Sequence, residues 1–289
     1  MHICSELHFI PMADVIHELV NGQQRNDLST QDRGLSYGHG VFETVKVVAG
    51  EPILIDEHLQ RLISSCQRLK IPTDNLLQQL IADLDYLPYV DLGVVKIIVT
   101  AGVGGRGYQL PDDPRPSRIV QLFPFPHFPD NPSQQGIQAR WCDIQLSSVP
   151  TLAGIKHLNR LEQVLARAEW SDPHIREGIL LGSDQFIAEG TMSNIFIVKD
   201  NTLKTPDLSR YGVEGIMRNH IIKLAKQSDL SVSVLPLTKN DLLDADEVFF
   251  CNSLIEIWPL RKIAQQSFEV GAVTRSLQKA LMAESYHRC

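Results

Sequence analysis

The chain has 289 residues, of which 43% are hydrophobic and 21% are charged, and its formal net charge is −7. This length and composition predict a globular protein of one large or two smaller domains, and they exclude a disordered chain. The acidic balance argues against a general attraction to nucleic acid or to anionic membranes.

The first half of the chain mixes strand and helix signals. Apolar, β-branched runs predict strands, and Asn21-Gly22 is typical of a turn after the first of them. Apolar residues at helical spacing predict a helix over residues 58–69, ended by Pro72, and a second helix over residues 76–84. The predicted strands cover residues 15–20, 42–48, 94–100 and 118–123.

A proline-rich segment, residues 123–132, separates the two halves. Four prolines in ten residues fit neither a helix nor a central strand. We therefore expect a first domain over residues 1–125, a linker over 126–134 and a second domain over 135–289.

The second half opens with a predicted strand over residues 137–142. A helix over residues 159–170 follows, with Asn159 and Glu162 spaced as in a capping box and an apolar face formed by Leu161, Val164, Leu165 and Ala168. Three short strands at 178–181, 186–189 and 194–199, separated by turns, predict an antiparallel meander. A helix over 216–227, strands at 248–251 and 255–258 and a C-terminal helix complete the pattern.

The glycine-rich segment 102–107 matches the spacing Gly-x-Gly-x-x-Gly. In dinucleotide-binding proteins this pattern opens a helix whose N-terminus receives a pyrophosphate. Here Pro111, Pro114 and Pro116 follow within a few residues, so we expect no helix and reject a dinucleotide site.

The cysteines and the chain ends bear on the compartment. An odd number of scattered cysteines predicts free thiols, and neither a disulfide framework nor a metal site is expected of Cys4, Cys66, Cys142, Cys251 and Cys289. The N-terminus lacks a signal-peptide pattern, and no apolar run approaches the ~18 residues of a membrane span. We expect a cytoplasmic protein without a membrane partner.

Four features indicate chemistry when they are taken together. Lys156 precedes a predicted helix in an apolar setting, which lowers the pKa of an amine as imine formation requires. Glu189, at a strand end, suits a protonated pyridine nitrogen, while the helix start Gly215-Ile216-Met217 and the side chain of Arg61 suit a phosphate. Taken singly, each feature is more often an ordinary surface or loop residue.

Six ordered segments resemble the fold-type IV pyridoxal-phosphate enzymes, the class IV aminotransferase family, which includes branched-chain and D-amino-acid aminotransferases and aminodeoxychorismate lyase. The segments are residues 32–44, 58–62, Lys156 with its helix, 189–196, 212–218 and 246–259. The resemblance implies an α/β plus β-rich fold, with an N-terminal α/β sandwich domain and a C-terminal pseudobarrel domain. It also implies a homodimer with the cofactor between the two domains.

The resemblance assigns roles to individual residues. It implies that Lys156 forms a Schiff base with pyridoxal 5′-phosphate and that Glu189 pairs with the pyridinium nitrogen. It further implies that the phosphate is held by Arg61, Ser253 and the backbone of Ile216 and Met217, and that Asn194 is another cofactor contact.

Within the family, residues 104–108, 152–165 and 251–254 look most like those of the aminodeoxychorismate lyases, whereas Phe42-Glu43 is shared with the aminotransferases. The implied reaction converts 4-amino-4-deoxychorismate to 4-aminobenzoate and pyruvate, with Lys156 as general base. An aminotransferase of the same fold and a catalytically silent cofactor-binding protein stay open as alternatives.

The same resemblance implies contacts to the small-molecule substrate. Its carboxylates would meet Lys96, Arg106 and Asn252, and Tyr37 and Tyr108 would line the site. Lys96 interrupts an apolar strand, so we expect it to be buried beside an anionic partner or ligand.

Overall fold

The computed structural model describes residues 15–286, which fold around two β-sheets. The first sheet is antiparallel, in the order β1-β5-β4-β2-β3. Its strands are β1 (His17–Val20), β2 (Gly40–Val48), β3 (Glu51–Pro52), β4 (Leu92–Thr100) and β5 (Ser117–Pro124). Three helices accompany it: α1 (Arg33–Tyr37), α2 (Ile55–Arg68) and α3 (Leu76–Asp85).

Strand β2 separates a hydrophobic core from the functional site. Successive side chains of a strand point to opposite faces, so Val41, Val45 and Val47 pack with the apolar residues of α2. Phe42 and Thr44 face the other way and line a cavity between the two sheets. Burial of one face of β2 therefore determines which of its side chains line the cavity on the other face.

The second sheet has nine strands in a mixed arrangement, in the order β11-β10-β9-β12-β13-β6-β7-β8, with β14 paired to β13. The strands are β6 (Ile137–Leu146), β7 (Ile175–Gly182), β8 (Ile187–Gly190), β9 (Asn194–Lys199), β10 (Thr202–Pro206), β11 (Ser231–Leu235), β12 (Glu247–Asn252), β13 (Glu256–Ile263) and β14 (Gln266–Ser267). The helices are α4 (Pro132–Gln135), α5 (Leu161–Arg167), α6 (Ile216–Gln227), α7 (Lys239–Leu243) and α8 (Ala272–Tyr286).

The expected meander is only partly present. Strands β7 and β8 pair antiparallel, and so do β9 and β10. However, β9 pairs with β12 on its other side, and β8 reaches it only through the turn in which the Gly190 amide donates to Ser193 O. Turn signals mark a chain reversal, but they do not identify the strand that becomes the neighbour.

The helix predicted over residues 159–170 is shorter, and its capping box is wrong. The Asn159 side chain donates to Gly38 O at 3.0 Å, and the Glu162 carboxylate accepts from the Ser147 amide at 2.9 Å. Both side chains are thus used by other segments, and α5 begins at Leu161 without a side-chain cap. Tertiary contacts outweighed the local capping signal.

The predicted apolar face of this helix is largely exposed. Leu161, Val164 and Leu165 are 67%, 60% and 50% exposed, whereas Ala166 is fully buried. The hydrophobic spacing therefore predicted a helix correctly but not the face that packs against the rest of the chain. A cluster of large apolar side chains left in water is typical of an interaction surface.

Two further observations concern the described residues. Cys66, Cys142 and Cys251 are free and buried, while Cys4 and Cys289 lie outside the described range. Within residues 15–286, the helices are too short or too polar to cross a membrane.

Candidate active site

A cavity of about 360 Å³ lies between the two sheets. Its walls come from β2, α2, the loop before α5, the β8–β9 turn, the start of α6 and the β12–β13 turn. Every residue for which the sequence suggested a cofactor contact borders this cavity, although these residues span the chain from 61 to 253.

Lys156 lies in a loop that pairs with the start of β2. Its carbonyl accepts from the Phe42 amide at 2.9 Å, and the Leu158 amide donates to Gly40 O at 2.9 Å. Its Nζ lies 4.4 Å from the centre of the Phe42 ring. Burial, reinforced by the charge of Arg61, lowers the pKa of the Lys156 amine from 10.5 to about 8.

Glu189 is a buried carboxylate on β8, 3% exposed. One oxygen accepts from the Val213 amide at 2.7 Å, and the other lies 3.4 Å from the Gln163 side-chain nitrogen. Burial raises the pKa of Glu189, and the charge of Arg160 is the strongest opposing influence. Among the described residues it has no salt-bridge partner within 4.0 Å, so it suits a protonated ring nitrogen presented from the cavity.

The N-terminus of α6 and Arg61 form a cup for an anion. The first N–H groups of a helix have no partner within the helix, and those of Ile216 and Met217 begin α6 beside the cavity. Asn194 borders the cup and donates to Val213 O at 2.8 Å. A Cβ at Gly215 would lie 1.9 Å from the Asn194 side-chain oxygen, so only glycine fits there.

Glu43, to which the sequence assigned no role, organises this cup. It accepts from Arg61 Nε at 2.8 Å and pairs with His58 Nδ1 at 2.6 Å. His58 Nε2 then lies 3.2 Å from Ser253 Oγ, and Arg61 donates to Glu214 O at 2.7 Å. Burial alone would raise the pKa of Glu43, but His58 and Arg61 more than offset it and lower that pKa.

A sequence signal for Glu43 did exist. Alternation along β2 places it on the face covered by α2, where a carboxylate requires partners. His58 and Arg61 are three residues apart on that helix, and therefore lie on one side of it.

Glu177 is a second carboxylate that the sequence reading missed. It accepts from the amides of Gly178 and Thr191 at 2.9 Å each, from the Thr191 hydroxyl, and from Ser193 Oγ at 2.7 Å. Burial raises its pKa. Glu177 thereby fixes the β8–β9 turn that borders the cavity.

The residues expected to contact the substrate do not all border this cavity, unlike those expected to contact the cofactor. Asn252 borders the cavity, but its amide donates to Met192 O at 3.0 Å and accepts from Leu254 N at 2.8 Å. Lys96 is not among the residues that line the cavity, and it is half-buried rather than buried as expected; its Nζ lies 5.8 Å from the ring centre of Phe42. Among the described residues it has no carboxylate partner within 4.0 Å.

Tyr37, Tyr108 and Arg106 do not line this cavity of their own chain. Tyr37 and Tyr108 contact each other at 5.4 Å between ring centres and line a neighbouring cavity. Arg106 is exposed in the same glycine-rich loop, which Arg33 holds by donating to three of its carbonyl groups. This segment is a loop, as the rejection of a dinucleotide motif required.

Side chains that commonly bind metal ions are not clustered within residues 15–286. No group of three or more histidine, cysteine, aspartate or glutamate side chains there is arranged to hold an ion. The residues around the cavity instead combine an amine, a carboxylate and an anion cup.

Comparisons with known proteins identify the family of the chain. The profile of the amino-transferase class IV family matches residues 40–263. The chain is similar to aminodeoxychorismate lyase of Vibrio harveyi, with 34% identity over 90% of this chain and 97% of that protein. It is also similar to D-alanine aminotransferase of Listeria innocua, with 32% identity over 94% of this chain and 96% of that protein.

One solved structure extends the likeness to the fold. The crystal structure of 4-amino-4-deoxychorismate lyase from Pseudomonas aeruginosa superposes with a TM-score of 0.88 and is 44% identical. The match covers 92% of this chain and 98% of that chain.

Proposed function

The chain belongs to the class IV aminotransferase family, and from that premise we propose that it is an aminodeoxychorismate lyase that uses pyridoxal 5′-phosphate. It converts 4-amino-4-deoxychorismate to 4-aminobenzoate and pyruvate. The observation that carries the proposal is that one cavity brings together Lys156, Glu189 and the anion cup.

The residues present fit this cofactor. Lys156 supplies the amine, Glu189 the partner for the ring nitrogen, and Arg61 with the start of α6 the cup for the phosphate. When bound, the cofactor supplies a ring that accepts electrons from the substrate amine carbon. Glu189 keeps the ring nitrogen charged for that purpose.

Lys156 carries the proton transfers. With a pKa of about 8, roughly a tenth of the amine is neutral at pH 7, compared with well under a thousandth for an ordinary lysine. The neutral Nζ removes the proton from the amine-bearing ring carbon of the substrate. The resulting ammonium then returns a proton to the departing enolpyruvate, and formation of the aromatic product drives the elimination.

Recognition of the substrate carboxylates is assigned to Lys96, Arg106 and Asn252, with Tyr37 and Tyr108 as further wall residues. Lys96 supports this assignment because its amine and that of Lys156 both contact the Phe42 ring. Arg106 and Tyr108 lie on an exposed loop away from the cavity that holds Lys156, and in this proposal the loop faces the corresponding cavity of a second copy of the chain.

A homodimer is therefore part of the proposal. Leu161, Val164 and Leu165 form an exposed apolar patch on α5, and burying such a patch against a second copy is favourable. Size-exclusion chromatography with light scattering tests the dimer; a monomer at micromolar concentration would contradict it.

We also propose a cytoplasmic location. The proposed domain limits are 1–125 and 135–289, with a linker between them.

The reaction is tested by measuring pyruvate released from aminodeoxychorismate, with and without 2-oxoglutarate. A lyase releases pyruvate and 4-aminobenzoate in equal amounts without any added keto acid. Turnover that requires 2-oxoglutarate would instead identify an aminotransferase, the alternative favoured by the similarity to D-alanine aminotransferase. Cofactor binding without either reaction would indicate a catalytically silent protein.

A further inference from the structure

Arg160 lies beside both groups on which the proposed function rests. It borders the cavity together with Lys156 and Glu189. Its Nε donates to His157 O at 2.7 Å, and its Nη2 donates to Ile155 O at 3.0 Å. One side chain thus holds the carbonyl groups immediately before and after Lys156.

The other side of the same loop is held by β2. The Phe42 amide donates to Lys156 O, and the Leu158 amide donates to Gly40 O. The backbone that carries Lys156 is therefore fixed from two directions, by a strand and by a single guanidinium. Only the guanidinium can be removed by one side-chain substitution.

The charge of Arg160 has a second target. Among the described residues it forms no salt bridge, and both of its hydrogen bonds go to carbonyl groups. It borders the same cavity as Glu189, a buried carboxylate that forms no salt bridge among the described residues, and the two charges act on each other. In a weakly polar surrounding, such a charge favours the ionised carboxylate.

From this geometry, and on the basis of the proposed function, we propose that Arg160 is a positioning residue: it holds the loop that carries Lys156 and supplies a positive charge that favours the ionised form of Glu189. This role goes beyond those assigned to Lys156, Glu189 and the anion cup. It concerns the orientation of the amine and the charge state of the carboxylate, not contact with the reacting atoms.

The pKa shifts of Glu189 and of Arg160 agree with this arrangement. Burial raises the pKa of Glu189, and Arg160 opposes this more than any other group does. Burial also lowers the pKa of Arg160 itself, and Glu189 is the main group that offsets the decrease. Besides burial, the charges that shift the pKa of Lys156 are those of Arg61, Glu43, Arg160 and Glu189.

Two substitutions separate the two parts of the role. Arg160→Met removes the charge and both hydrogen bonds, whereas Arg160→Lys keeps the charge but cannot donate to both carbonyl groups in the same geometry. Arg167→Met is the matched control, because Arg167 lies on α5, is exposed, and does not border the cavity.

Three measurements are made on the holoenzyme of each variant. They are kcat and KM for pyruvate release, circular dichroism in the visible band of the bound cofactor, and hydrogen exchange of the segment 152–160. Because a small misplacement of a catalytic group can cost about 100-fold in rate, we expect kcat to fall by roughly 10–100-fold in Arg160→Met with little change in KM. Exchange should accelerate and the visible dichroism should weaken.

Arg160→Lys should give a kcat between those of the parent and Arg160→Met, and Arg167→Met should match the parent. A parent-like kcat, exchange rate and dichroism in Arg160→Met would overturn the proposal. Equal kcat values in the Lys and Met variants would overturn its electrostatic part. If Arg160→Met does not fold, Arg160→Lys decides: parent-like kcat and exchange would overturn the role in holding the loop. A parent protein without a visible band would refute the proposed function itself.

Discussion

The Nδ1 nitrogen of His58 lies 2.6 Å from a carboxylate oxygen of Glu43, and each of these side chains is about 1% exposed. The two residues belong to α2 and β2, and His58 continues the chain of contacts to Ser253 in the second sheet. The anion cup is therefore built on a buried carboxylate that does not itself border the cavity.

Replacing Glu43 by Gln should destabilise the protein by about 3 kcal/mol at pH 7, because removing one partner of a buried ion pair leaves the other uncompensated. The folded-state pKa of Glu43 lies below its ordinary 4.5, so its contribution is complete above that pH and is lost in more acidic solution. Urea unfolding at several pH values measures both effects.

Glu57→Gln, an exposed change on the same helix, is the control and should alter the stability little. A difference between the parent and Glu43→Gln that did not shrink in acid would contradict the ionised state of Glu43.

Replacing Glu189 by Gln should raise the stability of the cofactor-free protein and lower the activity of the enzyme. Burial raises the pKa of Glu189, so in the cofactor-free protein this carboxyl lowers the free energy of unfolding as the pH rises above its ordinary 4.5, because the unfolded chain releases the proton more readily. The amide removes this cost, and we expect a gain of about 1 kcal/mol in the free energy of unfolding. Activity should nevertheless fall by about 100-fold.

Thermal unfolding and the pyruvate assay measure the two quantities for Glu189→Gln. Glu269→Gln, at an exposed position, should change neither. A Glu189→Gln protein that is less stable yet fully active would contradict the proposed role of this carboxylate.

The sequence predicted the secondary structure well wherever periodicity coincided with burial. Helix α6 has the predicted limits, and β2 and β4 lie within two residues of theirs. The short strands β10 and β11 were missed, because they lack strong apolar runs and are stabilised by their neighbours in the sheet. The helix α5 was misjudged because Asn159 and Glu162 bond to distant segments.

The site was predicted through resemblance more than through local pattern. Lys156, Glu189 and Ile216 are remote in sequence, and each alone resembles an ordinary residue. Glu177 and Arg160 were not identified, because their partners are backbone groups and turn hydroxyls whose positions depend on the finished fold. Such contacts leave no spacing rule in the sequence.

Replacing Gly215 by Ala should weaken cofactor binding by about tenfold, or 1.4 kcal/mol. The new Cβ would lie 1.9 Å from the Asn194 oxygen, so either Asn194 or the start of α6 has to move. Gly105→Ala is the control, since nothing lies within 4 Å of its added Cβ. Titration of the apoprotein with pyridoxal phosphate gives the dissociation constants; equal values for the two variants would refute the steric argument.

The rate at which the apoprotein captures pyridoxal phosphate should rise with pH, with a midpoint near 8. The neutral amine is the nucleophile, and the pKa of Lys156 is about 8, whereas an exposed lysine titrates near 10.4. Stopped-flow absorbance in the visible band follows the reaction, and Lys156→Ala should show no band at any pH. A midpoint above 10, or a band that survives in the variant, would contradict the assignment.

The covalent attachment point of the cofactor tests the role of Lys156 most directly. Reduction of the holoenzyme with borohydride, followed by peptide mass mapping, should place the phosphopyridoxyl group on Lys156 and on no other lysine. Modification of a different lysine, or of none, would contradict the assignment of Lys156 and of the cavity around it.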